Sequence, residues 1–144
     1  MQKMKLIPTN CNYIIDAYAW IEYFKASKLG ETAKKYIEHE NAVTPTIVVS
    51  EISRKFSQQI QLGKETQDGK TRRLDFIRDT TRIVDLDFET AAGAGKIFEE
   101  LGSQVKDWSL ADLIILCTAR GLSGKVVTGD EHFRKVKEAI FIKE

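Results

Sequence analysis

Cysteine and histidine each occur only twice in these 144 residues, and both scarcities exclude chemistry. Cys11 and Cys117 are too few and too far apart for a disulfide framework or a zinc knuckle. Both thiols suit a reducing cytoplasm, and Cys117, in an apolar helical run, packs as a small hydrophobe. His39 and His132, in charged surroundings, give a histidine-rich metal site or a serine-type triad little to build on. No apolar run approaches the roughly 20 residues that cross a bilayer, so no membrane span is expected. The N-terminus lacks a long apolar stretch with a small-residue cleavage site, and no signal peptide is expected. A surplus of one charge is missing too. The net charge is +1, so nucleic acid feels no global attraction and would need a local patch. A glycine-rich phosphate loop is also absent, because Gly93 and Gly95 fall inside a helical pattern and point to close helix packing instead.

What the chain has is apolar weight and alternation. Apolar residues make up 42% and charged residues 30%, the profile of a globular chain able to bury a core as one domain over 1–144. Short strands are expected at 12–15, 42–44, 82–86, 125–128 and 139–142. Helices are expected at 17–26, 31–39, 45–62, a stretch ending near 79, 88–101, 109–121 and 131–137. Gly30 is expected to break the first helix, and Thr44-Pro45 to open the third as N-cap and first helical residue. The polar stretch 64–70 reads as a loop. Trp20, Tyr23 and Phe24 share one helix face and suit core or dimer contacts. Strands alternating with helices imply an α/β fold, a parallel sheet covered on both faces.

Four carboxylates stand at the ends of apolar runs. Asp16 closes Tyr13-Ile14-Ile15, Glu51 follows Ile47-Val48-Val49, Asp112 begins Leu113-Ile114-Ile115-Leu116, and Asp130 comes two residues after Val126-Val127. An acid beside a buried run costs solvation free energy unless something compensates it. In an open α/β sheet the ligand crevice lies beyond the carboxyl ends of the strands, where Asp16 and Asp130 fall. Glu51 and Asp112 lie early in helices that reach the same rim, so all four can converge. Acids so close cannot all ionise without a counter-charge. Mg²⁺ or Mn²⁺ supplies one and suits phosphodiester hydrolysis. Each acid also has a plain structural role open to it. Asp16 and Asp130 can cap the helices that follow, Asp112 can form a capping box with Ser109, and Glu51 can pair with Lys55.

Those motifs, Ile14-Ile15-Asp16-Ala17, Val48-Val49-Ser50-Glu51-Ile52, Ser109-Leu110-Ala111-Asp112-Leu113-Ile114 and Val127-Thr128-Gly129-Asp130-Glu131-His132-Phe133, carry a resemblance. In order and spacing, over nearly the whole chain, they resemble the PIN domain nucleases, particularly the VapC-type ribonuclease toxins of prokaryotes. The resemblance implies a three-layer α/β/α sandwich with a central parallel five-stranded sheet. It further implies a metal-dependent endoribonuclease with Asp16, Glu51, Asp112 and Asp130 as Mg²⁺ or Mn²⁺ ligands. RNA substrate, a homodimer and a small antitoxin protein follow from it as well. Thr128 matches a hydroxyl residue that typically orients the fourth acid. Ala17 departs from the pattern, since Thr or Ser often follows the first acid there.

The region from Arg54 to Arg82 holds eight basic residues against four acidic ones, and Arg54, Arg72 and Arg73 are candidates for phosphate contacts. Four other readings stand beside the toxin: an RNA-processing enzyme of the same family, a non-catalytic protein of the same fold, a phosphatase and a phosphorylated receiver module. The phosphatase needs a second Asp two residues after the first, where Tyr18 stands. The receiver wants an acid pair after the first strand and one helix per crossover, but two helices follow each of the first two strands.

Overall fold

Runs that are aliphatic on every residue have no polar face to turn to water, so they pair as strands covered on both sides. The computed structural model describes residues 10–144, and five short, mainly apolar runs form its one sheet. These are β1 (Tyr13–Ile15), β2 (Ala42–Pro45), β3 (Arg82–Val84), β4 (Lys125–Thr128) and β5 (Ala139–Phe141). Every pairing is parallel, and the spatial order is β3-β2-β1-β4-β5. The helices are α1 (Ala17–Phe24), α2 (Lys28–Ile37), α3 (Thr46–Gln61), α4 (Gln67–Thr80), α5 (Phe88–Leu101) and α6 (Leu110–Leu122). They form the outer layers of the expected three-layer α/β/α sandwich. The N-terminal stretch expected to hold no leader lies outside the described residues.

Ile14 and Ile15 of β1 and Val126 and Val127 of β4 are fully buried, the spine of the core. Removing each such side chain from water contributes about 1.5–3 kcal/mol. Chain order reverses between β1 and β4: β2 and β3 lie to one side, β5 to the other. A crevice opens at the carboxyl end of the sheet wherever the winding switches direction in this way. Asp16 leaves β1 there and Asp130 leaves β4 there.

Several element boundaries depart from expectation, each for a local reason. Gly30 does not break a helix. It sits within α2, where a Cβ would collide with the Glu22 carbonyl of α1, and Ala26 makes the turn instead at φ 53°. Thr44 is no helix cap. Its hydroxyl is buried in β2, taking the Trp20 indole N–H at 3.1 Å and meeting the Thr81 hydroxyl at 2.6 Å. Pro45 pairs with Val84 in the ladder, so α3 starts only at Thr46. The expected loop at 64–70 is partly helix, because Thr66 accepts the Gly69 N–H and caps α4. α6 runs one residue past Gly121 and ends with Ser123 in the left-handed region. The expected helix at 131–137 is only a 3-10 turn, Glu131–Phe133, followed by turns. Gly93 does mark close packing, since a Cβ there would press on the Cys117 thiol of α6, whereas Gly95 faces open space. Trp20, Tyr23 and Phe24 join Phe56 and Phe76 in an aromatic cluster between α1, α3 and α4.

Candidate functional site

Asp16 ends β1 and its backbone N–H donates to Val127 across the strand pair, which fixes the residue at the switch point. The residue is only 5% exposed. Its side chain does not cap α1; instead its Oδ2 accepts the Thr128 hydroxyl at 2.7 Å. Burial pushes its carboxyl up to about 6. The Thr128 bond pulls the other way, and the charges of Asp112 and Asp130 raise it further. Thr128 thus orients the first acid by its hydroxyl, and the fourth only by accepting the Asp130 backbone N–H at 3.0 Å.

Asp112 is held by its own helix start. Ser109 accepts the Asp112 N–H while Asp112 Oδ2 accepts the Ser109 N–H, a complete capping box. The same oxygen lies 2.8 Å from Nδ1 of His132. Asp130 caps the following 3-10 turn by accepting the His132 backbone N–H at 2.9 Å. His132 then stacks on Trp108, with centroids 5.9 Å apart and planes 11° apart. The hydrogen bond with Asp112 raises the imidazole's proton affinity; burial opposes this, and the Asp130, Asp112 and Asp107 charges add to it.

Glu51 projects from the second turn of α3, and the alternative pair with Lys55 does not form among the described residues. Its Oε1 is buried without a hydrogen-bond partner, alone in this among the described side chains. Burial raises its carboxyl to about 7, and the charges of Asp16, Asp112 and Asp130 raise it further. The four acids therefore sit near enough to feel one another's charge. One donor atom each from Asp112, Asp130 and His132 lies within 4.8 Å of the others, and Asp16 and Glu51 stand outside that trio.

Such an arrangement is short of positive charge. Buried polar atoms are normally paired, and an orphaned carboxylate oxygen in the field of three further acids is costly. A divalent cation fits that deficit: hard oxygen donors in excess, one of them without any partner. The basic candidates are less committed to the site. Arg73 is tied to Glu65 and lies over the Phe56 ring, Arg72 pairs with Asp68 at 3.2 Å, and Arg54 is exposed with no ion pair among the described residues.

Gly129 has a site-specific role. A Cβ there would run into the ring of Tyr18, so only glycine lets that ring lie against the end of β4 beside Asp130. Gly129→Ala is expected to displace Tyr18 or the strand end and to lower the melting temperature by several degrees, a cost of about 1–3 kcal/mol. Thermal unfolding of G129A with and without Tyr18→Ala checks this. Rescue by the second substitution is expected, and an unshifted melting temperature in G129A alone would refute the steric reading.

The sequence pattern passes over His132 and Trp108. A count of two histidines argues against a histidine cluster, but one imidazole among acids needs no cluster. The signal is its place two residues after Asp130, in a motif already singled out for its acid.

The pattern of the PIN domain family matches residues 13–139. No curated protein matches the chain in sequence. Among solved structures, the chain is similar to VapBC2 from Rickettsia felis bound to a DNA fragment from its promoter. The identity is 16% and the TM-score 0.69, covering 90% of this chain and 96% of that one. It is similar to a toxin-antitoxin complex from Klebsiella pneumoniae at 16% identity and TM-score 0.70, covering 92% and 99%. It is also similar to VapC20 from Mycobacterium tuberculosis, a sarcin-ricin loop cleaving toxin, at 11% identity and TM-score 0.59, covering 88% and 95%.

Proposed function

The chain belongs to the PIN domain family, and from that premise we propose that it is a Mg²⁺- or Mn²⁺-dependent endoribonuclease, the toxin of a toxin–antitoxin pair. One observation carries the reading: the buried, unpartnered Oε1 of Glu51 in the field of Asp16, Asp112 and Asp130. Four acids gathered at a sheet's switch point, one of them with a buried oxygen that has no partner, are the mark of a functional site, and a cation would complete them.

Asp16, Glu51, Asp112 and Asp130 would hold the ion, which when bound supplies counter-charge to the phosphodiester and acidifies the attacking water. The surrounding residues keep those acids in place. Thr128 fixes Asp16 through Oδ2, and Ser109 locks the start of α6 so that Asp112 cannot swing away. Thr128 also anchors the Asp130 backbone. Rigid elements on both sides of the crevice therefore present the oxygens with little left to reorganise. No side chain of the cluster is a strong covalent nucleophile, which favours direct hydrolysis. Arg54, exposed three residues beyond Glu51 on α3, is the best placed of the basic candidates to meet a flanking phosphate. The loop-cleaving toxin and the toxin-antitoxin complexes that share the fold support RNA as substrate and a small antitoxin partner, and the homodimer is an expectation of the family resemblance alone.

Purified protein is expected to cut single-stranded or loop RNA with Mn²⁺ or Mg²⁺ and to stop when EDTA is added. A gel assay on a labelled hairpin measures it. Cleavage that ignores the chelator overturns the metal reading. Finding a short antitoxin-like reading frame directly upstream of the gene would support the toxin role over RNA processing.

A further inference from the structure

Resting on that metal site, we infer that His132 supplies a nitrogen ligand through Nδ1 and that the site therefore selects Mn²⁺ over Mg²⁺. The imidazole is not free to face elsewhere. Its Nδ1 is 2.8 Å from Asp112 Oδ2 and 3.8 Å from Asp130 Oδ1, so the nitrogen lies beside two of the proposed ligands, and a bound ion would take the place of the proton it shares with Asp112. Its own backbone N–H donates to that same Asp130 oxygen, which couples the ring's position to the acid's. Behind it, Trp108 lies nearly parallel to the ring and packs in turn on Phe133, which is fully buried. The stack fixes the plane of the imidazole and leaves its edge toward the acids. The three donor atoms, two oxygens and one nitrogen, already lie within 4.8 Å of one another.

Ligand chemistry supplies the selectivity. Mg²⁺ is hard, keeps its waters and prefers an all-oxygen shell, whereas an imidazole nitrogen suits transition metals. Mn²⁺ accepts the mixed set of carboxylates and one nitrogen. An all-acid site has only the general order of metal affinities to separate the two ions; a nitrogen donor adds a preference that Mg²⁺ does not gain.

Untagged protein titrated with Mn²⁺ and observed by pulsed electron paramagnetic resonance tests this without any turnover. The expected spectrum shows coupling to one imidazole nitrogen, which changes when histidine is labelled with ¹⁵N. His39 and His132 are the only histidines, so assignment is direct. His39 is turned away, its Nδ1 accepting the Asn41 N–H and its ring edge-on to Tyr13. His39→Asn should keep the coupling and His132→Asn should lose it. His132→Asn should also weaken Mn²⁺ by about 10- to 100-fold while Mg²⁺ changes by less than about threefold, measured by calorimetry. Bound Mn²⁺ with no imidazole coupling, or an unchanged Mn²⁺-to-Mg²⁺ ratio in His132→Asn, overturns the inference and leaves the acid site standing. Failure of the intact protein to bind either ion overturns both.

Discussion

Asp16→Asn is expected to abolish RNA cleavage while raising the melting temperature of the chelated protein. A metal ligand contributes several kcal/mol of transition-state stabilisation, so its loss should lower the rate by about a thousandfold or more. The effect on stability has the opposite sign. Asp16 is buried with its carboxyl pushed up to about 6, so its charge opposes folding near neutrality when no ion is present. Asparagine has the same shape, and its amide oxygen can still accept the Thr128 hydroxyl. Function and stability then trade against each other at one residue, as they do at sites built for a ligand. Asp112→Asn should be equally inactive, but without the gain. Its Oδ2 serves both the Ser109 N–H and His132, and weakening that capping box costs about 1 kcal/mol. Calorimetry in EDTA beside a cleavage assay reads both quantities. Activity within about tenfold of the parent in either variant, or a lower melting temperature in Asp16→Asn, would remove the basis for the proposed role.

Much of this site is legible in the sequence because its acids sit where periodicity is simplest. The aliphatic pairs Ile14-Ile15 and Val126-Val127 of their strands end abruptly, so Asp16 and Asp130 can be assigned to the strand ends from the pattern alone. The Ser109 to Asp112 spacing announces its own capping box. What cannot be read are contacts made across long sequence separations. Thr44 precedes a proline and looks locally like a helix cap; only Trp20 and Thr81, from distant stretches, make it a core hydroxyl. The bond from Thr128 to Asp16 joins residues 112 positions apart, and no local rule predicts it. The short turn after Asp130 reads as a helix because its residues are good helix formers. Tertiary context overrides that propensity: Phe133 is drawn into the core and Asp130 caps the turn at once.

The metal-free protein should be most stable in mild acid and should weaken as pH climbs from about 4 to about 7. Asp16, at about 6, and Glu51, at about 7, both have folded-state values above those of the unfolded chain. The native state therefore holds more protons than the unfolded state through that window, and stability falls with rising pH. His132 has the same sign at higher pH, since a raised imidazole adds stability below its unfolded value and loses it as pH rises further. Exposed Glu131 runs the other way. Bonds from Arg134 and Lys143 lower its carboxyl to about 2, so its contribution is lost only in stronger acid. A tenfold difference in proton affinity between folded and unfolded chains is worth about 1.4 kcal/mol. Because the acids are coupled, the descent should total a few kcal/mol, or several degrees in melting temperature. Mn²⁺ binds the deprotonated acids, so saturating ion should flatten or reverse the descent above pH 6. Glu51→Gln should flatten it without ion, because the amide removes a buried charge and Asp16 then titrates with one fewer neighbour. Melting curves of the parent protein and Glu51→Gln from pH 4 to 8, in EDTA and in Mn²⁺, give the comparison. If their slopes coincide in EDTA, or the parent's stability rises through this window, Glu51 does not share a field with the other acids and the case for a common ion loses its electrostatic ground.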